Sequence, residues 1–171
     1  MKDVHYEIER KFLIRMPDPA WLRREAEGTE ITQTYLLAPQ GVSERVRRRG
    51  RDGDFVYTHT VKQKLTDLRR IEDEEEIDAD RYAELLLRAD PSRRVIRKVR
   101  WCFTWEGQFF ELDVFPFWED RAFLEIELKD ESQEVRLPPE LRLIREVTED
   151  PRYTNSALAF AVPYDDIGKE S

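Results

Sequence analysis

Two carboxylates and an ammonium group lie on alternate residues near the start of the chain, in the segment Glu7-Ile8-Glu9-Arg10-Lys11. Successive side chains of a β-strand point to opposite faces of the sheet, so Glu7, Glu9 and Lys11 would share one face. Carboxylate oxygens suit hard cations such as Mg²⁺, and lysine and arginine suit phosphate groups. A strand over this segment would therefore present ligands for a metal ion and for an anion on the same face.

The same alternation of charged residues recurs along most of the strands that the sequence predicts. On these strands, alternate residues are charged, and we call this set of alternate positions the charged parity. It consists of Glu7, Glu9 and Lys11; Arg45, Arg47 and Arg49; Lys62 and Lys64; Arg70, Glu72, Glu74 and Glu76; Lys98 and Arg100; Glu111 and Asp113; and Glu125, Glu127 and Lys129. The opposite parity is more apolar on several strands, for example at Leu124 and Ile126. Charges of both signs are thus sorted to one face on strand after strand.

Two architectures fit this sorting. In the first, the apolar faces form a core and the charged faces lie in water, as in an ordinary half-buried sheet. In the second, a closed antiparallel sheet turns its charged faces inward, and helices cover its apolar outer face; eight strands can close in this way around a ligand. An interior with so many charges is tolerable only if they pair, hydrate or bind ions. We favour the second, because a passive surface does not require both signs to be sorted by parity.

The strands and helices follow from turn and cap residues. Strands are predicted over 4–14, 30–38, 43–50, 54–65, 70–77, 93–105, 107–116 and 121–130. Asp18-Pro19 predicts the start of a helix that ends at Gly28, and Asp78 predicts the cap of a second helix that ends near Arg88. A short helix is predicted after Asp150-Pro151. The predicted fold is α+β, an eight-stranded antiparallel barrel with a charged lumen and a few flanking helices.

Length and composition restrict the class of protein. The chain of 171 residues is predicted to form a single domain over 1–171, with about 163–171 as a loose tail. The net charge of −8 argues against a nucleic-acid partner, and no apolar run approaches the roughly 20 residues of a membrane span. Because Cys102 is the only cysteine, no internal disulfide is possible. A cytoplasmic protein that does not associate with membranes is expected.

The charged segments resemble those of a known family when they are taken in order. The matching segments are Glu7 to Lys11, Gln33 to Leu36, Arg45 to Arg47, Thr60 to Lys62, Arg70 to Glu74, Lys98 to Arg100, Glu111 to Phe115, Glu125 to Leu128 and Glu146 to Ser156. The first matches the ExExK signature of the CYTH superfamily, the triphosphate tunnel metalloenzymes. The resemblance covers about residues 4–160, and the last segment resembles the end of the short, single-domain bacterial members.

The resemblance implies an enzyme with an eight-stranded tunnel, open at both ends, that holds a triphosphate and Mg²⁺ or Mn²⁺. The expected activity is metal-dependent hydrolysis of inorganic tripolyphosphate. Alternatives within the family are thiamine triphosphatase, nucleoside triphosphatase and class IV adenylate cyclase. An alternative of another class is a non-catalytic module that binds polyphosphate or nucleotide. A small anionic triphosphate is the expected partner, with no nucleic acid and no membrane, and the chain is expected to be a monomer or a homodimer.

The resemblance also assigns roles to individual residues. The residues expected to bind metal are Glu7, Glu9, Asp113, Glu125 and Glu127, and those expected to bind phosphate are Lys11, Arg45, Arg47, Lys62, Arg70 and Arg100. The supporting carboxylates of the lumen are expected to be Glu72, Glu74 and Glu111. Lys98 and Tyr35 are expected to activate water. Whether Arg48, Arg49 and Lys64 face the lumen is left open. His5 and His59 are expected off the lumen face, and Cys102 is expected to be a small buried filler on it. Residues 153–156 are expected to close part of the barrel.

Overall fold

A computed structural model describes residues 4–66 and 69–169, with the side chains described from Ile8 onward. Its strands are β1 (Val4–Arg15), β2 (Glu27–Tyr35), β3 (Val42–Arg51), β4 (Asp54–Lys64), β5 (Arg69–Ile77), β6 (Ile96–Trp105), β7 (Gln108–Val114), β8 (Arg121–Glu127) and β9 (Leu143–Glu146). Its helices are α1 (Pro19–Glu25), α2 (Ala79–Leu86) and α3 (Asn155–Leu158), with a single 3₁₀ turn over Pro151–Tyr153. No helix in these described ranges is long and apolar enough to cross a membrane.

Eight strands close into an antiparallel barrel in the order β5-β4-β3-β2-β6-β7-β8-β1, and β1 completes the ring by pairing with β5. The first part of β1, Val4–Ile8, pairs with β5, whereas Glu9–Arg15 pairs with β8. The short strand β9 adds to β1 beside Phe12. The predicted barrel is therefore confirmed, and β9 is a strand that the sequence did not predict.

The barrel carries an apolar core on its outer face. Phe12, Ile14, Leu112 and Leu124 lie in one buried cluster with Trp21 and Leu22 of α1. Asp18 accepts a hydrogen bond from the backbone N–H of Ala20 and Pro19 occupies the first turn, so α1 begins as predicted. Because the apolar faces pack under helices, the charged parity must face the lumen.

A smaller apolar cluster covers the outer face on the other side of the barrel. It joins Leu36 and Val46 to Leu85 of α2. Asp78 caps α2 by accepting a hydrogen bond from the backbone N–H of Arg81. The two helices α1 and α2 thus cover separate parts of the outer surface.

Inward-facing residues are apolar at one end of the lumen. Leu13, Ile96, Phe115 and Phe123 pack there with Tyr153, which is fully buried. Leu13, Ile96 and Phe123 belong to β1, β6 and β8, and Phe115 directly follows β7, so that side of the lumen is filled. This differs from the expected tunnel open at both ends, because large side chains and the C-terminal segment occupy the space.

The predicted end of α1 at Gly28 is wrong. The helix ends at Glu25, and Gly28 lies inside β2, where a Cβ atom would come within 2.9 Å of the Trp101 ring. The absent side chain therefore makes room for an aromatic ring that packs across neighbouring strands. A glycine has this use in a strand as well as at a helix end, and the sequence alone does not distinguish the two.

The structure also differs from the predicted loose tail. Pro163 accepts a hydrogen bond from Nε1 of Trp118 at 3.0 Å, and Asp165 accepts hydrogen bonds from Arg145 and Arg152 at 2.9–3.1 Å. Ile167 packs against the apolar cluster that fills the lumen. Residues 163–169 have no regular secondary structure, yet side-chain contacts dock them on the barrel.

Candidate active site

A cavity of about 330 Å³ opens on the lumen beside the C-terminal segment. Its charged lining consists of Glu9 and the basic residues Lys11, Arg45, Lys62, Lys64, Arg70 and Arg93. Six basic side chains thus face one carboxylate in a protein whose net charge is −8. Such an excess of positive charge in a partly enclosed space attracts a small, highly charged anion.

Strand alternation brings most of these residues to the cavity. β1 supplies Lys11, β3 supplies Arg45, and β5 supplies Arg70, each on the inward parity. Arg45 is buried, and its Nε–H has no hydrogen-bond acceptor among the residues that the structure describes. Because a buried donor without a partner is costly, this group favours a bound acceptor.

Arg93 is a cavity residue that sequence reasoning missed. The strand predicted over 93–105 would place Arg93 on the face opposite to Lys98, but β6 begins at Ile96 and Arg93 lies in the irregular segment before it. Its Nη1 donates to Oγ of Ser156 at 2.9 Å, its Nε lies 3.4 Å from Oδ2 of Asp90, and its guanidinium lies 5.1 Å from the centre of the Tyr35 ring. These contacts join the C-terminal segment to the cavity wall.

A buried ion-pair cluster lies beside this cavity. Oδ2 of Asp113 accepts a hydrogen bond from Nζ of Lys98 at 2.7 Å, and its two oxygens accept from Nε and Nη2 of Arg100 at 2.8 and 2.9 Å. Arg100 also donates to Glu111 at 2.9 Å. Asp113 is fully buried, so its charge is balanced by these two cations rather than by water.

The pKa values in this cluster follow from burial and pairing. Burial alone would raise the pKa of Asp113, but Arg100 and Lys98 hold it well below its ordinary value. Burial lowers the pKa of Lys98 to about 7, although the charge of Asp113 opposes the shift. Burial and the charges of Arg45 and Arg100 lower the pKa of Arg47 to about 9. Positive charge in this part of the lumen is therefore only partly compensated.

Two further ion pairs link the predicted metal ligands to basic residues. Nζ of Lys11 lies 3.2 Å from Oε1 of Glu125 and donates to the carbonyl oxygen of Tyr153 at 3.1 Å. Burial would raise the pKa of Glu125, but the charge of Lys11 helps to lower it to about 2. Arg70 lies 3.5 Å from Glu9. Glu125 is thus ionised, and a cation lies beside each of the two carboxylates.

The remaining predicted carboxylates whose side chains are described lie on the same inward face. Glu127 is exposed and pairs across the strands with Glu9. Glu72 lies 3.9 Å from Lys62, and Glu74 accepts a hydrogen bond from Thr60 at 2.8 Å. Among the described residues, no three acidic, histidine or cysteine side chains converge as a metal site. The side chain of Glu7 lies outside the described residues.

Other predicted lumen residues take different positions. The hydroxyl of Tyr35 accepts a hydrogen bond from Gln33 at 2.8 Å, and no hydrogen bond joins Tyr35 to Lys98, both of which are described. Lys98 instead lies 3.4 Å from Oδ1 of Asn155. Arg47 donates two hydrogen bonds to Oε1 of Gln33. The predicted tyrosine and lysine therefore share the lumen without a hydrogen bond between them.

The structure decides the positions that the sequence left open. Lys64 lines the cavity, and Arg49 donates to Thr29 and to Sγ of Cys102 on the inward face. Arg48 faces outward and stacks on Phe55. His59 lies off the lumen, as expected, with Nε2 2.8 Å from Glu44. The side chain of His5 lies outside the described residues.

Replacing Asp113 tests the buried cluster. Asp113→Asn leaves Lys98 and Arg100 buried with a neutral neighbour, so the free energy of unfolding should fall by about 3–5 kcal/mol. Denaturant unfolding at neutral pH measures this change. Glu106→Gln removes an exposed pair with Arg136 and serves as the control, with an expected loss below about 1 kcal/mol. Equal losses in the two variants would contradict a structural role for the cluster.

The pH dependence of stability provides a second readout of the same variant. Since the folded pKa of Asp113 is lowered, its stabilising contribution is complete above the unfolded value of about 3.9 and is lost as pH falls below it. Asp113→Asn should remove this part of the acid dependence. An unchanged acid profile would contradict the pairing.

The comparisons with known proteins agree with this arrangement. The family model for the CYTH domain matches residues 5–144. An inorganic triphosphatase of Nitrosomonas europaea is 36% identical over 162 residues, which are 92% of this chain and 99% of that protein. An inorganic triphosphatase of Acetivibrio thermocellus is 37% identical over 155 residues, which are 89% of this chain and 92% of that protein.

Solved structures show the same fold. The crystal structure of an inorganic triphosphatase is 34% identical, covers 92% of this chain and 97% of its own, and superposes with a TM-score of 0.59. A protein from Pyrococcus horikoshii OT3, 24% identical over 72% of this chain and 80% of its own, superposes with a TM-score of 0.54 and supports the fold alone. With the family model matching most of its length, this chain belongs to the CYTH domain family.

Proposed function

We propose that this protein is an enzyme that hydrolyses inorganic triphosphate to pyrophosphate and orthophosphate in its lumen. The observation that carries the proposal is the cavity in which six basic side chains face one carboxylate. A linear triphosphate concentrates negative charge on a chain of three phosphoryl groups and so matches a basic wall. The two relatives named above, which align over nearly their whole lengths, are both inorganic triphosphatases.

The lumen residues would act chiefly by positioning and by stabilising charge. Arg45, Lys62 and Arg70 would bind phosphoryl oxygens from three adjacent strands and hold the chain in one orientation. As water attacks a terminal phosphorus atom and the bridging P–O bond breaks, negative charge grows on the leaving oxygen. Fixed cations in a partly enclosed site stabilise that charge without solvent reorganisation.

We further propose that a divalent cation, Mg²⁺ or Mn²⁺, binds the carboxylates of β1 and β8. Oxygen donors of this kind fit a hard cation, and Glu9 and Glu127 lie opposite each other across the two strands, next to Glu125. Glu7 on β1 would join them. Because Glu9 and Glu125 are paired with Arg70 and Lys11, binding would exchange ion pairs for metal contacts. The bound cation would polarise phosphoryl oxygens as a Lewis acid.

A substrate panel tests this function. Phosphate release from tripolyphosphate, thiamine triphosphate and ATP is compared with and without Mg²⁺ or Mn²⁺, and formation of cyclic AMP is measured with ATP. Tripolyphosphate should be hydrolysed fastest, with strict dependence on the cation. Glu9→Gln should remove nearly all turnover while the protein remains folded, and the exposed Glu149→Gln should behave as the unmodified protein. Full turnover in excess chelator would refute the metal role, and preference for another triphosphate would refute the substrate.

Arg45→Gln tests the phosphate contact. Its Nε–H has no acceptor within the described part of the chain, so the change should weaken binding and leave folding nearly unchanged. The loss of a charged hydrogen bond, about 1.5–3 kcal/mol, corresponds to roughly 10- to 150-fold in affinity. Calorimetric titration with tripolyphosphate in the absence of metal measures it. Arg51→Gln, at the exposed end of β3, is the control. Equal affinities in both variants would place the substrate elsewhere.

We propose that Lys98 assists the attack of water and that Tyr35 orients the reacting groups. Nζ of Lys98 is held by Asp113 and Asn155 on the inward face, and Tyr35 lines the cavity. A group that acts on the reaction step lowers kcat when replaced, whereas a uniform binding group raises KM. Steady-state kinetics of Lys98→Ala should show a reduced kcat. A raised KM with unchanged kcat would show instead that Lys98 only contributes to phosphate binding.

A further inference from the structure

A second concave site lies on the outer face of the barrel, between the parts of the surface that α1 and α2 cover. Its volume is about 390 Å³, which is within the usual range of small-molecule pockets. Its lining residues come from β2, β3, β4, β6 and β7 and include Thr32, Phe55, Val99, Val114 and Pro116. We call it the outer groove.

The parity of the strands separates the outer groove from the cavity in the lumen. Arg97, Lys98 and Val99 of β6 all line the groove, but the ammonium group of Lys98 points away from it and donates to Asp113 inside the barrel. Val114 packs against the outer apolar cluster. The groove is therefore distinct from the proposed active site, although both lie on β6.

Two arginines converge on the outer groove. Thr32 lies directly opposite Arg48 on one neighbouring strand and opposite Arg97 on the other. Both arginines also line the groove. They therefore flank Thr32 from the two neighbouring strands, on the outer face of the sheet.

Neither arginine has an ionic partner among the residues that the structure describes. Arg48 stacks on Phe55 at 4.4 Å, and neither guanidinium forms a hydrogen bond or an ion pair within the described ranges. Glu30 also lines the groove, but its cross-strand neighbours are Gly50 and Val99 rather than the arginines. The groove thus combines an apolar floor with a net positive charge.

We propose that the outer groove binds a small amphipathic anion, with a carboxylate, sulfonate or phosphate group between Arg48 and Arg97 and an apolar or aromatic body on Phe55, Val99 and Val114. Charge complementarity supports the anionic group, since a guanidinium binds such oxygens in a bidentate manner. The apolar floor and the volume support a ring-sized body. The Thr32 hydroxyl can donate to the same anionic group.

Paired fluorescent probes test this site. Anilinonaphthalene sulfonate carries an aromatic body and one anionic group, and N-phenyl-1-naphthylamine has the same rings without the charge. Fluorescence titration of the folded protein should show one site that prefers the sulfonate. Arg48→Gln and Arg97→Gln should each weaken sulfonate binding by about tenfold or more, as expected for a lost charged hydrogen bond, and should affect the neutral probe little.

Three controls make the result decisive. Arg23→Gln, an exposed residue of α1, should not change binding, and Arg45→Gln should not change it either because that residue lies in the lumen. Thr32→Tyr fills the groove with a residue that strands accommodate and should abolish binding of both probes, while circular dichroism shows an unchanged fold. Equal affinity for the two probes, persistence of binding in Thr32→Tyr, or loss of binding in Arg45→Gln would overturn the proposal.

Discussion

Lys98 and Arg100 lie in the interior of the barrel because Asp113 accepts hydrogen bonds from both of them. An isolated buried cation is costly, and a carboxylate with two cationic partners removes most of that cost. The same geometry fixes the directions of both side chains on β6, so that they need not reorganise when an anion arrives. The basic lumen therefore depends on a few buried carboxylates that hold the cations without neutralising all of them.

The inverted arrangement of the barrel makes this possible. Its hydrophobic stabilisation comes from the outer face, where α1 and α2 cover apolar clusters, and from the filled end of the lumen around Tyr153. The inward face is consequently free to carry charge. The C-terminal segment adds one wall of the cavity through Tyr153–Ser156, and Arg93 ties that wall to the barrel. Outside the filled end of the lumen, apolar packing and the proposed chemistry thus use opposite faces of the same strands.

The sequence predicts those features that follow from alternation along a strand. The inward positions of Lys11, Arg45 and Arg70 are of this kind, because each residue's face is set by its parity. Features that depend on packing between distant segments cannot be predicted from the alternation of residues along a strand. Arg93 lies in a loop without parity, Gly28 has a role that depends on Trp101, and residues 163–169 are held by contacts with distant side chains. Side-chain pairing, such as that of Glu125 with Lys11, also requires the folded structure.

The proposed function requires that the basic cavity of the lumen binds triphosphate. A crystal structure of the protein with tripolyphosphate, in the absence of divalent cations, tests it most directly. We expect a triphosphate in the cavity lined by Arg45, Lys62 and Arg70, with an oxygen within about 2.7–3.2 Å of Nε of Arg45. A triphosphate bound only on the outer surface, with the cavity free of phosphate, would show that the lumen is not the binding site.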